Sequence, residues 1–228
     1  MNDIGKVVRH PPRASAAEVA ALARFGVATV HEAMGRVGMA RPVLRPNYVG
    51  AQLCGTVVTV LSQPGDNWML HVAAEQVREG DVVVMACTTD NTDGYFGELL
   101  ATSFRSRGGV GLIIDGGCRD VRELTDMKFP VFARAFSARG TVKAALGAVN
   151  VPVVCAGALV RPGDIVMADD DGVLVVPREH AAAAAEASAK REAKEAATRV
   201  RLAAGELGLD IYGMRDTLQR AGLYYVDP

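Results

Sequence analysis

Lysine is scarce in this chain: its 228 residues include only Lys6, Lys128, Lys143, Lys190 and Lys194. A Schiff-base mechanism needs a lysine whose pKa has been lowered by burial. Lys190 and Lys194 lie in a highly charged stretch, Lys6 in the leader and Lys128 in a turn, which leaves Lys143 as a poor candidate. Aromatic residues make up 5% of the chain, and the four cysteines, Cys54, Cys87, Cys118 and Cys155, stand far apart. With no Cys-x-x-Cys and no neighbouring histidine, they argue against zinc and read as reduced core thiols. The formal net charge of -1 gives no basic footprint for nucleic acid or an anionic membrane. No apolar run approaches the ~18 residues of a membrane span, and the stretch from Met1 to Arg13 lacks an apolar signal segment, so a cytoplasmic protein is expected. There is no G-x-G-x-x-G after a strand and no G-x-x-x-x-G-K-[ST], which argues against nucleotide, NAD and methyl-donor chemistry. The histidines form no His-x-x-x-His or Ser-His-Asp pattern, and His31, inside an apolar helix, reads as structural.

What is present is half hydrophobic residues and 24 glycines, the composition of an α/β protein. The length fits one large domain, or one with an appended tail, burying roughly 70% of its unfolded surface. Ser15-Ala16-Ala17-Glu18 is a capping box ahead of Val19, Leu22 and Ala23, so a first helix is predicted from residue 16. A second helical pattern, Val27 to Met34, stops at Gly35 and Gly38, and Pro42 and Pro46 mark an extended connection. Apolar runs predict strands at Thr56–Leu61, Val82–Ala86, Val110–Ile114, Val131–Ala133, Val151–Val154, Ile165–Ala168 and Val173–Val176. Gly80-Asp81 and Gly163-Asp164 each feed one of these runs, a recurring way of entering a strand.

Further helices are predicted at Gly97–Arg107, Val121–Met127 and Arg178–Ala204. The last is nearly all alanine and charge and lacks a wide apolar stripe. Beyond it the chain regains bulk at Leu209, Ile211, Tyr212, Met214, Leu218, Leu223, Tyr224 and Tyr225. The expected organisation is therefore a core over 1–177 and an oligomerisation arm over 178–228 that packs on a neighbour.

The candidate chemistry lies between Gly97 and Asp120. Val110 to Asp115 reads as a buried parallel strand emptying into a Gly116-Gly117 turn, and ligands in open α/β sheets collect where such strands end. If a helix opens at Gly97, its first amides form an anion receptor, with Glu98 either beside the ligand or merely complementing the helix dipole. Arg119 presents a planar fork matched to a carboxylate or enolate oxygen. Asp120 is either a helix N-cap or a hard oxygen ligand for Mg²⁺ or Mn²⁺. Glu195, with Arg191 and Arg199 four residues to either side, reads as part of an ion-pair ladder.

These residues resemble a known family, the class II pyruvate aldolases acting on 4-hydroxy-4-methyl-2-oxoglutarate and 4-carboxy-4-hydroxy-2-oxoadipate. The matching pieces are Thr29 to Arg36, Pro64-Gly65-Asp66-Asn67, Gly97 to Thr102, Asp115 to Asp120, and Glu206 to Arg215. The spacing from Glu98 to Arg119-Asp120 is shared with the regulators of ribonuclease activity; the long helix and the Leu-Asp-Ile-Tyr-Gly-Met-Arg tail resemble the aldolase branch. The resemblance implies an α/β/β/α sandwich assembled into homotrimers or hexamers with Mg²⁺ or Mn²⁺ at each interface. It makes Asp120 the direct metal ligand, with Glu98 and, from the adjacent subunit, Glu195 acting through water. Arg119 would face the keto oxygen, Gly97, Leu99 and Leu100 would hold the substrate carboxylate, and Arg119 and Glu98 would be catalytic. Glu98 stands where the aldolases carry Asp, and its extra methylene suits a water-mediated role. The implied substrates are small 2-keto acids from aromatic-acid breakdown, with oxaloacetate decarboxylation as a side activity. A non-catalytic ribonuclease regulator and a dedicated oxaloacetate decarboxylase are the alternatives, and Arg36 and Arg122 are both available for a distal carboxylate.

Overall fold

The computed structural model describes residues 3–227. Helix α1 (Ala16–Leu22) opens on the expected capping box, in which Ser15 Oγ accepts the Glu18 amide at 3.2 Å and Glu18 Oε2 accepts the Ser15 amide at 2.7 Å. The chain continues through α2 (Val27–Ala33), β1 (Arg45–Pro46), β2 (Leu53–Ser62), α3 (Trp68–Ala73), β3 (Asp81–Cys87), β4 (Gly94–Phe96) and α4 (Glu98–Arg105). Then come β5 (Gly111–Cys118), α5 (Val121–Asp126), β6 (Val131–Phe136), β7 (Ala148–Val149), β8 (Val153–Cys155), β9 (Ala158–Val160), β10 (Ile165–Asp169) and β11 (Gly172–Val176). A 3-10 turn at Arg178–His180 leads into α6 (Ala181–Ala203), α7 (Gly208–Ile211) and α8 (Arg215–Arg220).

Every apolar run read as a strand coincides with one, the Val151–Val154 run in shifted form as β8. The runs do not announce β1, β4, β7 or β9, since strands of two or three residues carry no legible period.

The main sheet runs in the order β1-β6-β5-β3-β2-β10-β11, with β4 added on β5 and β7 on β2; β8 and β9 form a separate hairpin. The β6-β5-β3-β2 portion is parallel, and β10 and β11 continue it antiparallel. Alternate residues divide the faces. Val58 and Val60, Val83 and Met85, and Leu112 and Ile114 point to one core shared with α3, α4 and α5. Val57, Val84, Ile113 and Phe132 point the other way, into a core that also holds Val166, Val173 and Val175 from β10 and β11. Residues from both ends of the strand order thus meet in one interior, so the sheet curls until it nearly closes. The outer face of β10 and β11, through Ile165, Met167, Leu174 and Val176, packs against Leu22, Val27 and Val30 of the first two helices and Ala181 and Ala184 of α6. Helices outside each half of a curled sheet make the α/β/β/α arrangement.

The Gly-Asp pairs have a common physical role. Asp81 and Asp164 are buried, and each accepts a backbone amide from three residues upstream, Arg78 and Arg161, at 2.9 Å. Each also faces an arginine from a distant segment, Arg13 for Asp81 and Arg178 for Asp164. Asp81 is the first residue of β3 and Asp164 immediately precedes β10, the two strands that flank β2 in the sheet order.

The chain divides into two compact units within α6, one up to Ala187 and one from Ser188. The second unit comprises the rest of α6 with α7 and α8, and it exposes Val200, Leu207, Tyr212, Tyr224, Tyr225 and Val226. No helix among the described residues is long and apolar enough to cross a membrane.

Candidate active site

Strand β5 does not stop at a Gly116-Gly117 turn, as expected from its sequence, but continues through both glycines to Cys118. The reason is crowding: a Cβ on Gly117 would overlap the carbonyl oxygen of Thr92, in the segment that leads into β4. Glycine here lets β4 approach and pair with the end of β5. Directly after β4 the chain turns at Gly97 into α4, and directly after β5 it turns at Arg119-Asp120 into α5. The two turns meet, the Arg119 amide donating to the Phe96 carbonyl at 2.8 Å.

Asp120 has left-handed backbone angles, φ 55° and ψ 42°, and its side chain makes no capping bond to its own helix. Its carboxylate instead accepts the Glu98 amide at 3.0 Å, the first N–H of α4. Asp120 is therefore an N-cap, but for the other helix. Gly97 makes this possible, since a Cβ there would overlap Asp120 Oδ2 and lie 3.1 Å from Arg119 Cγ. The next two amides of α4, those of Leu99 and Leu100, have no hydrogen-bond partner among the described residues. An anion placed before them would meet two donors and the positive end of the helix. Arg119 Nε lies 3.8 Å from Asp120 Oδ2, and its side chain is about half exposed. Glu98 bends back along α4, Oε1 accepting the Thr102 hydroxyl at 2.9 Å.

An open cleft lined by Cys118, Arg119, Asp120, Val121, Phe136, Ser137 and Ala138 runs beside these groups. Burial pushes the Cys118 thiol up to about 12, so it offers no thiolate to the cleft. Behind the site, Asn67 Nδ2 donates to the Tyr95 carbonyl at 2.8 Å, and the Tyr95 hydroxyl accepts the Gly65 amide at 2.7 Å. Asp66 accepts the amides of Trp68, Ala144 and Ala145 at 2.8, 2.6 and 2.8 Å. The Pro64-Gly65-Asp66-Asn67 turn thus joins β4 to the segment after β6, a role its sequence shows only as two side chains able to bond nearby backbone.

Gly97, Glu98, Leu99, Leu100, Arg119 and Asp120 are brought together in this way. Glu195 lies on α6 in the second unit, paired with Arg191 at 2.8 Å as the ladder reading expected. Asp120 Oδ1 accepts no hydrogen bond among the described residues, and among them no group of three or more His, Cys, Asp or Glu side chains could cage a metal. Mg²⁺-like ions keep several waters and take one or two carboxylates plus substrate oxygens, so a single free carboxylate oxygen beside an open cleft fits such an ion.

The nearly closed mixed sheet with a carboxylate-capped anion receptor at the β4–β5 edge defines a particular α/β class. Residues 27–175 match the family model described as RraA-like, aldolase/RraA, and the chain belongs to that family. A protein of Halalkalibacterium halodurans bearing the provisional name 4-hydroxy-4-methyl-2-oxoglutarate aldolase is 33% identical over 135 residues, 59% of this chain and 64% of that protein. A Burkholderia multivorans protein with the same provisional name is 34% identical over 143 residues, covering 63% of this chain and 87% of its own length. Among solved structures, Streptomyces coelicolor RraAS2, described as an unusual member of the RNase ES inhibitor RraA family, superposes with a TM-score of 0.75 at 27% identity, covering 84% of this chain and all of that one.

Proposed function

We propose that this protein is a divalent-metal-dependent pyruvate aldolase that cleaves 4-hydroxy-4-methyl-2-oxoglutarate, 4-carboxy-4-hydroxy-2-oxoadipate or both. The observation that carries the reading is the juxtaposition of the unpartnered Leu99 and Leu100 amides with Arg119 and the free oxygen of Asp120. A 2-keto acid presents a carboxylate and an adjacent keto oxygen, and this arrangement has a receptor for each. The names of the Halalkalibacterium and Burkholderia relatives support the same chemistry.

Retro-aldol cleavage breaks C3–C4: the C4 hydroxyl loses its proton and becomes a carbonyl, the bonding pair moves toward the keto oxygen, and C3 then gains a proton to give pyruvate. The Leu99 and Leu100 amides fix the substrate carboxylate, and with it the orientation of the bond to be broken. The Arg119 guanidinium lies where negative charge grows on the keto oxygen, the place where a fixed donor lowers a barrier most. Glu98, the first residue of α4, is the carboxylate assigned to move the proton; its Oε1 accepts the Thr102 hydroxyl one turn along the helix, a bond it would exchange for a water at the helix mouth. Asp120 would hold Mg²⁺ or Mn²⁺ directly, with Glu98 and Glu195 of a neighbouring copy acting through water. The ion, when bound, supplies Lewis-acid polarisation of the keto group. The apolar side chains exposed on the second unit support packing on another copy, for which trimers or hexamers are the proposed assemblies.

The test is pyruvate release from 4-carboxy-4-hydroxy-2-oxoadipate and from oxaloacetate with Mg²⁺, with EDTA, and with Arg119→Ala. Metal-dependent cleavage that outpaces decarboxylation and falls on the order of 10²- to 10³-fold in the variant is expected. Decarboxylation alone would favour a dedicated decarboxylase, and no turnover with Mg²⁺, or with Mn²⁺ in its place, would favour a non-catalytic regulator.

A further inference from the structure

Parallel strands rarely carry a β-bulge, yet β5 carries one just before the candidate site. Leu112, Ile113 and Ile114 pair with Val131, Phe132 and Ala133 of β6, and pairing then resumes with Gly117 on Ala135 and Cys118 on Phe136. Asp115 and Gly116 thus stand opposite Arg134 alone. Strand β4 is out of step at the same level, with Tyr95 between the pair Gly94 and Gly117 and the pair Phe96 and Cys118. Both turns of the site therefore leave strands whose regular register has been broken. In a regular ladder Cys118 would oppose Ser137, and the Arg119-Asp120 turn would move one residue along β6, about 3.3 Å. A misplacement of about 1 Å already costs on the order of 10²-fold in rate.

A largely buried ion pair sits on the bulge. Past Ile113 and Phe132, which point into the inner core, the next residues on that face are Asp115 and Arg134. Arg134 Nε donates to Asp115 Oδ1 at 2.6 Å, and Nη2 lies 2.5 Å from the same oxygen; the two side chains are 24% and 14% exposed. Asp115 Oδ2 accepts the Ala156 amide at 2.7 Å. Ala156 and Gly157 form the two-residue turn of the β8–β9 hairpin, with φ of 45° and 84°. Such turns favour Asn or Asp ahead of Gly, and the bond from Asp115 supports an alanine in that place. One carboxylate thus ties the bulge to β6 on one side and to the hairpin on the other. A buried ion pair adds little net stability, because desolvation offsets attraction; its best-attested use is to fix register.

We propose that Asp115 and Arg134 are positioning residues for the reaction: their pair pins the β5 bulge and so sets where Arg119 and Asp120 stand. The roles of those two residues rest on the aldolase reading above.

The experiment compares the full-length protein with the double variant Asp115→Asn/Arg134→Met and with Arg134→Lys. The double variant removes both charges but keeps an acceptor for the Ala156 amide, and Arg134→Lys keeps the charge without the fork. Each is read by its urea midpoint, by Mn²⁺ affinity without substrate from electron paramagnetic resonance, and by kcat for pyruvate release from 4-hydroxy-4-methyl-2-oxoglutarate. The double variant should unfold at the parent's midpoint, bind Mn²⁺ on the order of 10-fold more weakly and lose on the order of 10²-fold in kcat. Arg134→Lys should fall between it and the parent, and decides by the same readings if the double variant does not fold. A lowered midpoint with Mn²⁺ affinity intact is the mark of a merely structural pair and overturns the assignment, as does parental Mn²⁺ affinity in any folded variant. A parent protein that neither binds Mn²⁺ nor releases pyruvate overturns the aldolase reading and this assignment with it. Binding and turnover in the parent, unchanged in the variants, overturn the assignment alone.

Discussion

Asp120 caps a helix to which it does not belong: its carboxylate takes the Glu98 amide of α4 at 3.0 Å, although Asp120 itself stands ahead of α5. The residue proposed to hold the metal is therefore also a structural clasp between two turns.

The two roles separate in a pair of variants. Asp120→Ala loses the cap and puts a Cβ-bearing residue in a left-handed conformation without a polar side chain to support it. A loss of about 1–3 kcal/mol in urea unfolding is expected. Asp120→Gly loses the cap but relieves the backbone, and should be more stable than the alanine variant by about 1 kcal/mol. Both should show the same sharply raised Mg²⁺ requirement in the pyruvate assay; an unchanged requirement in either would remove Asp120 from the metal site.

Gly97→Ala addresses geometry rather than chemistry. The φ of Gly97 is -158°, extended backbone open to any residue, so the penalty comes only from the collision with Asp120 and Arg119. Turnover should fall on the order of 10²-fold, as misplacing reacting groups by about 1 Å does. Circular dichroism should show an unaltered fold; a fully active alanine variant would contradict the close approach.

Asp66 makes stability depend on pH. Burial alone would raise its pKa, but the amides of Trp68, Ala144 and Ala145, with the charge of Lys143, outweigh burial and hold it below the ordinary aspartate value. The folded protein then binds fewer protons than the unfolded chain near pH 4, so stability rises with pH through that range and is lost as the solution is acidified below it. Asp66→Asn should cost about 1–3 kcal/mol at pH 7 and flatten the decline between pH 5 and pH 3, as read from urea melts.

The thiols should be inert. Burial pushes Cys54 up to about 12, Cys87 to about 11 and Cys118 to about 12, and it raises Cys155 as well. A disulfide-exchange reagent at pH 8 should label the native protein slowly and all four cysteines promptly in denaturant. Fast labelling of any one in the native state would show an opening not seen here.

The long apolar strands and the capping box were legible because each obeys a local rule, a run of buried β-branched residues or a Ser-x-x-Glu spacing. The Gly97-Glu98 and Arg119-Asp120 turns were legible as turns at strand ends, and the structure brings them together. What was not legible depends on contacts between segments. Gly116-Gly117 reads locally as a turn and is a strand because another backbone passes against it. Asp120 reads as a cap for the helix that follows and caps a different one.

The paired carboxylates Asp81 and Asp164 have a consequence for errors in assembly. Strand β2 lies between β3 and β10, and each neighbour enters the sheet with a buried aspartate tied to the amide three residues before it. Sliding either strand by one residue would carry its aspartate to the opposite face and strand a charge among apolar side chains. The register of the middle of this sheet is thus checked from both sides, because a slip in either neighbour of β2 costs the burial of an unpaired charge.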